Sequence, residues 1–277
     1  MKKIKFQFIL VTLLFVCSSS LFAQSAQDIL DNMIEHYANS IEDVETMMMI
    51  TRMEGFMETD PDTTYYRKVE TDGFPTLQPV NSSSNTPASN YYNFHESYDA
   101  LVENATYEGT ETVNGREAHV LFIEDVRALY EDVVTTPEDQ QQQQAEPQSG
   151  RMYIDTENYI PIRMNFDISY DEEYTGSADM VMSDIRNIDG MLIPFMMEMK
   201  IEGISGSMSA EDMAEAQESM KQFEEQMENA TGLQKRIMER TIKPQMERLQ
   251  KILEEGAMTM TTIIEDVQTN VTIPEVM

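Results

Sequence analysis

Apolar and polar residues alternate with two different periods along this chain, and the changes of period divide it into elements. Ile29, Leu30, Met33, Ile34, Tyr37 and Ile41 recur at helical spacing with acidic residues between them, predicting an amphipathic helix over Ala26 to Ile41 that Ser25 or Asp28 caps. From Val44 the period falls to two. Glu45 to Gly55 reads as a strand, Asp60-Pro61-Asp62 as turn material, and Thr64 to Glu70 as a second strand. Gly73 to Asn90, rich in Pro, Ser, Asn and Thr, reads as a loop, and Phe94 to Glu103 as a short helix.

Three hairpins follow. Asn114-Gly115 joins Thr106 to Val113 with Arg116 to Glu124. Thr156-Glu157-Asn158 joins Arg151 to Asp155 with Tyr159 to Ser169. Asp189-Gly190 joins Tyr174 to Arg186 with the strand that ends at Glu202. Asn-Gly and Asp-Gly supply the two positive-φ positions of a type I′ turn. Ile160, Ile162, Met164, Phe166 and Ile168 share one face of the second hairpin; Ile193, Phe195, Met197, Met199 and Ile201 share one face of the third, with Glu198, Lys200 and Glu202 opposite. Pro194 has no N–H to give to a ladder, which predicts an edge strand or a bulge there. Ala257 to Asn270 closes the sheet, with Met258, Met260, Thr262 and Ile264 on one face.

Two segments interrupt this meander. Thr135 to Ser149, containing Gln140 to Gln144, reads as a low-complexity loop. Residues 207–256 return to helical spacing through Met213, Ala216, Met220, Phe223, Met227 and Ala230, break at Asn229 to Gly232, and resume through Ile242, Met246, Leu249 and Leu253. This predicts an inserted helical hairpin. Its acidic first arm and more basic second arm favour antiparallel packing, with Pro244 kinking the second helix or marking its true start. The fold class expected is mainly β (α+β), with about nine consecutive antiparallel strands.

Residues 1–23 stand apart. Lys2, Lys3 and Lys5 precede an apolar run from Phe6 to Val16 and then small residues to Ala23, which is the pattern of a secretory signal peptide cleaved near Ala23. A lipidated Cys17 is the alternative, but Val16 occupies a place where that processing takes a small residue. Residues 24–277 then form the expected single domain, exported and without a disulfide. The formal net charge is −31, and loss of the leader lysines deepens it. Nucleic acid and anionic membrane surfaces are poor partners for such a field, which reads as a solvated acidic surface, with attraction of cationic partners or calcium as the alternative.

Signatures of catalysis are not found in the sequence. The three histidines, His36, His95 and His119, stand at no zinc-ligand spacing, and there is no nucleophile elbow, phosphate-binding glycine loop or dinucleotide fingerprint. The expectation is a protein that is not an enzyme and uses no cofactor or metal, with a hydrolase as a remote alternative. Methionine is the anomaly: 24 residues beside no tryptophan. Ordinary core packing, a deformable lipid-binding lining, and copper(I) ligation by thioethers all draw on this side chain.

ATYEGTETVNGREAHVLFI, RMYIDTENYIPIRMNFD and DIRNIDGMLIPFMMEMKI, following an amphipathic first helix, resemble the LolA/LolB-like superfamily, and more narrowly the outer membrane lipoprotein-sorting proteins. The resemblance covers most of residues 26–206 and 257–274. It implies an unclosed antiparallel β-barrel of about nine to eleven strands, covered by the N-terminal helix, whose apolar concave face holds acyl chains in the periplasm of a Gram-negative cell. It also implies lipid or lipoprotein acyl chains as partners, with a donor or acceptor protein of the inner or outer membrane. On that reading the cavity is formed by Ile162, Met164, Phe166, Ile168 and Ile193 together with Phe195, Met197, Met199, Met258 and Met260. The glutamine-rich loop and the helical insertion depart from the pattern, and the insertion motivates an alternative function as an envelope sensor or scaffold that docks on a protein partner.

Overall fold

A computed structural model describes residues 25–55, 58–71, 73–80, 97–126, 146–169, 175–203, 210–238, 240 and 243–274. The predicted signal peptide and the glutamine run lie outside them. In chain order the elements are α1 (Ala26–Ser40), β1 (Thr46–Gly55), β2 (Asp62–Thr71), β3 (Phe74–Pro79), α2 (Tyr98–Asn104), β4 (Ala105–Val113), β5 (Arg116–Ile123), β6 (Glu146–Asp155), β7 (Pro161–Ser169), β8 (Thr175–Ile188), β9 (Met191–Glu202), α3 (Ala210–Asn229), α4 (Gly232–Ile237), α5 (Lys243–Glu255) and β10 (Ala257–Thr269).

The described strands form one ten-stranded sheet in the order β3-β2-β1-β10-β9-β8-β7-β6-β5-β4. Every pairing is antiparallel. The sheet is not closed: β3 and β4 are its two ends. The inserted helices α3 to α5 lie in sequence between β9 and β10, yet those two strands are neighbours, so the insertion leaves the meander intact. This is the unclosed, helix-covered sheet that the resemblance implies.

Curvature comes from a band of backbone irregularities. Register slips fall between Tyr107 and Gly109 in β4, opposite Tyr153 and Ile154 at Ile162 in β7, and at Glu265 in β10. Asp184 in β8 adopts φ 51°. Each bulge bends its strand and raises its twist, so together they curl the sheet around one face. The hairpin turns match expectation, with φ 50° and 81° at Asn114-Gly115 and 50° and 96° at Asp189-Gly190. β6 and β7 approach most closely at Gly150, where a Cβ would stand 2.5 Å from the carbonyl oxygen of Asn165.

The structure differs from the sequence reading in four places. Phe74–Pro79 is strand β3, not loop: Pro75 and Pro79 sit on the sheet's end strand, where a missing N–H is tolerated. β6 starts at Glu146, so the last four residues of the predicted loop belong to a strand. β9, which carries Pro194, is an interior strand. Its ladder to β10 ends at the Ile263–Met196 pair, so at Pro194 the strand in register with it is β8, through Ile185. Finally, among the described side chains the ion pairs of α5 are Lys243–Glu247, Lys251–Glu255 and Arg248–Glu58, and none joins it to α3. The acids of α5 meet its own cations at i+4 spacing, which is the shorter reach. α5 begins at Lys243, so Pro244 marks its start.

One cluster of buried side chains joins the helices to the sheet. Ile29, Leu30 and Met33 of α1 and Leu101 of α2 pack with Met47, Met49, Leu121, Ile154, Met197 and others of the strands. Burying each such side chain contributes about 1.5–3 kcal/mol. Ser25 caps α1 reciprocally: its Oγ accepts from the Asp28 N–H and the Asp28 carboxylate accepts from the Ser25 N–H, each at 3.0 Å. Those hydrogen bonds from Ser25 hold the Asp28 carboxyl below its ordinary pKa. Thr76 of β3 is fully buried, and its Oγ1 has no hydrogen-bond partner. Thr76→Val keeps the shape and removes the orphaned hydroxyl, so a rise in stability of about 1 kcal/mol is expected, read from the urea midpoint at unchanged m-value.

Candidate functional site

The face of the sheet turned toward α1 is the candidate site, and the strand register composes it row by row. Met152, Met164, Met180, Met199 and Met260 are successive cross-strand partners from β6 to β10. Adjacent strands lie about 4.8 Å apart, so five thioether side chains form one continuous row. A neighbouring row runs Met182, Met197, Thr262, Met53. Partners in an antiparallel pair share a face, and Met152, Met164, Met180, Met182 and Met197 lie in the main core with Met199 packed beside it.

Of the ten residues assigned to the cavity from sequence, Met164, Phe166, Ile168, Ile193, Phe195 and Met197 are buried in this cluster. Met199 is half-buried against it. Met258 and Met260 are half-buried partners of Ile201 and Met199 at the β10 end. Ile162 is the exception. Tyr153 pairs with Arg163 but Ile154 pairs with Pro161, which leaves Ile162 as the extra residue of a bulge. It packs with Val113, Ala118, Val120, Tyr153 and Ile160 in a separate cluster. Ala118 and Val120 alternate along β5 with Leu121 and Ile123 of the main core, so that cluster lies on the opposite face.

The main cluster opens to solvent at one end of the layer. There the last turns of α1 (Met33, Ile34, Tyr37, Ser40), the start of β3 (Phe74, Pro75), the β6–β7 turn (Tyr159 to Pro161) and the start of β9 (Met191, Leu192) line a pocket with about 50 Å³ of free volume. None of the ten assigned residues lines it. Phe74 stands at its lip, 45% exposed. Sequence reading missed Phe74 and Pro75 because turn-forming residues surround them; the buried Thr76-Leu77 pair was the available sign of a strand.

α1 is tied more firmly at its C-terminal end than at its start. Lys68 Nζ donates to the Glu42 carbonyl at 2.7 Å and pairs with Glu45 at 2.7 Å. Asn270 accepts from the Glu45 N–H at 2.9 Å and donates to the Asp43 carbonyl at 3.0 Å. Within the helix, the Leu77 N–H donates to Tyr37 Oη at 3.3 Å, and burial raises the Tyr37 phenol well above its ordinary value. Nearer the start, Tyr98 Oη donates to Asp31.

One charged group, Arg186, stands on this face as the cross-strand partner of Ile193, with its side chain exposed. Arg186 stacks its guanidinium 3.9 Å over the Phe195 ring and pairs with Asp184. Arg151–Glu108 and Arg163–Asp179, each at 2.7 Å, lie across the opposite face, their guanidinium groups over Phe122 and Tyr153. His119 is buried, stacked on Tyr159 and edge-on to Tyr107. Burial depresses its pKa, against a smaller opposing pull from Glu117 and Asp155. A depressed histidine pKa withdraws stability as pH falls below about 6.5 toward the folded-state value. Among the described residues no three His, Cys, Asp or Glu side chains gather as a metal site. What the arrangement offers chemically is a methionine-rich apolar surface covered by α1.

No family model matches the chain, and no curated protein matches it. Solved structures do. The chain is similar to a DUF1329 family protein from Desulfovibrio piger, at 10% identity and TM-score 0.40, over 90% of this chain and 95% of that one. It is similar to a putative outer membrane lipoprotein-sorting protein domain from Vibrio parahaemolyticus with the same identity, TM-score and coverage. It is also similar to a LolA superfamily protein from Nitrosomonas europaea, at 12% identity and TM-score 0.34, over 91% of this chain and 96% of that one.

Proposed function

We propose that the protein is a non-catalytic carrier or binding protein for lipid or lipoprotein acyl chains. The observation that carries this reading is the continuous methionine-rich face of the sheet, apolar across five strands and covered by α1. Burying an acyl chain gains about 0.8 kcal/mol per CH₂, so a carrier needs a large apolar concavity and no reactive group. Thioether side chains suit that task because they repack around chains of different shape. Met164, Phe166, Ile168, Ile193, Phe195, Met197, Met199, Met258 and Met260 would supply the lining. The leader-like residues 1–23 support a periplasmic location, where a membrane donor or acceptor would be the partner.

The pocket's free volume of about 50 Å³ holds a few waters and no acyl chain. The structure is therefore the closed form, and loading lifts α1 from the sheet. Solvent extraction of the protein purified from the periplasm, followed by mass spectrometry, is expected to release stoichiometric lipid. The delipidated protein is expected to bind the neutral fluorophore N-phenylnaphthylamine, and Met199→Asp, at a half-buried site, to weaken that binding about tenfold or more with the fold retained. Protein free of lipid that also leaves the fluorophore dark overturns the reading.

A second reading rests on the insertion. α3 carries exposed Glu218, Ser219, Lys221, Gln222, Glu225 and Gln226, and the described side chains of α5 tie to the sheet layer through Arg248–Glu58. A sensor or scaffold would use this arm to dock on a protein. Removing residues 207–255 separates the two: lipid binding kept with partner capture lost favours the scaffold, and lipid binding lost favours a lid.

A further inference from the structure

Among the described residues, neither Lys nor Arg, and neither Asp nor Glu, lines the open pocket at the end of the α1–sheet layer. Its lining includes the polar residues His36, Tyr37, Ser40 and Tyr159, of which Tyr37 Oη accepts from the Leu77 N–H and Ser40 Oγ donates to the Tyr37 carbonyl. The nearby cations are engaged elsewhere: Lys68 with Glu45 and two carbonyls of the α1–β1 connection, Arg186 with Asp184 and the Phe195 ring. A carboxylate or phosphate brought to this mouth would lose hydration with no charge-assisted partner, inside a chain of net charge −31. An ammonium head would likewise meet no carboxylate in the lining.

We infer that this pocket takes the polar end of a single acyl or alkyl chain whose head is uncharged, a hydroxyl, ester or amide, with the chain running beneath α1 along the methionine rows. The inference rests on the carrier reading and adds the class of head that the site selects. Hydroxyl and imidazole groups both donate and accept hydrogen bonds, which matches an uncharged polar head, and the surrounding wall of Ile34, Phe74 and Leu192 matches the first carbons of the chain.

The test uses three probes with one ten-carbon tail: 1-decanol, decanoate and decyltrimethylammonium. Each is titrated calorimetrically into the delipidated protein at pH 8 and low salt, below its micelle concentration. Decanol is expected to bind at least about tenfold more tightly than either ion. Ala38 is half-buried and lines the pocket from α1; lysine there keeps a good helix former and brings one cation to the mouth. Ala38→Lys is expected to raise the ratio of decanoate to decanol affinity at least about tenfold, and Ala38→Gln, similar in length and uncharged, to leave that ratio unchanged. Decanoate binding as tightly as decanol to the unaltered protein overturns the inference and leaves the carrier reading standing. A ratio unmoved by Ala38→Lys also overturns it, because the head then sits elsewhere. Failure of all three probes to bind overturns both readings together.

Discussion

Met197→Asp is expected to lower stability by about 4 kcal/mol or more, while Met196→Asp, one residue earlier, changes it by less than about 0.5 kcal/mol. The two side chains point to opposite faces of β9. Met197 is 3% exposed, in register with Met182 and Thr262 and packed in the main core; Met196 is 40% exposed. A carboxylate at 197 would have to ionise among thioethers and aliphatic groups, and the fold would open before it did so. At 196 it adds one more acid to an acidic surface. Urea titration of both variants decides the matter, since a whole domain holds only about 5–15 kcal/mol in reserve. Equal loss at both positions would contradict the assignment of the helix-covered face as the buried one.

Asp155→Ala is expected to cost about 3 kcal/mol, and Asp155→Asn less. This carboxylate is 2% exposed at the end of β6. It accepts from Arg116 Nη1 at 2.7 Å, from the Asn158 and Glu157 N–H groups at 2.8 and 3.1 Å, and from Asn158 Nδ2 at 3.0 Å. Those donors hold the β6–β7 turn in shape, with Tyr159 following at φ 50°. Burial by itself would raise the pKa of Asp155; the hydrogen bonds from Arg116 and the turn outweigh it and hold the value below the ordinary carboxylate range. A depressed acid pKa contributes stability that is complete above the unfolded value of about 3.9 and is lost as pH falls through the folded value. Unfolding free energies measured between pH 5 and about pH 2 should therefore fall less steeply in Asp155→Ala than in the unaltered protein. Parallel pH profiles would remove Asp155 from this role. Asparagine keeps one acceptor oxygen for the turn, and so retains part of the stability without its pH dependence.

The turn was visible in the sequence as Thr156-Glu157-Asn158, but the work of Asp155 was not. Its chief partner, Arg116, lies 39 residues away, and only the pairing of β5 with β6 brings them together. The cavity assignment shows the same division. Alternation correctly puts Met164, Phe166 and Ile168 on one face of β7, because side-chain period two is a local property. It fails at Ile162 because a bulge adds one residue to the strand, and nothing in the identity of Ile162 announces it. β3 was read as a loop since Pro75 and Pro79 argue against a ladder. They are allowed there only because β3 is an end strand, and strand position in a sheet is not a local property.

The sequence by itself determined the periodicities: the amphipathic first helix with a cap at Ser25 or Asp28, the Asn-Gly and Asp-Gly hairpins, the alternating strands and a kink or start at Pro244. These follow from backbone dihedral preferences and from which side chains avoid water, and both act within a few residues. Tertiary structure alone decided that β10 inserts between β1 and β9, which closes the meander around the helical insertion. It also decided that five methionines from five strands fall in one row, and that among the described residues no charged side chain lines the open end of the layer. Each of these depends on register between segments distant in the chain, where a slip of one residue would turn the same side chains to the opposite face.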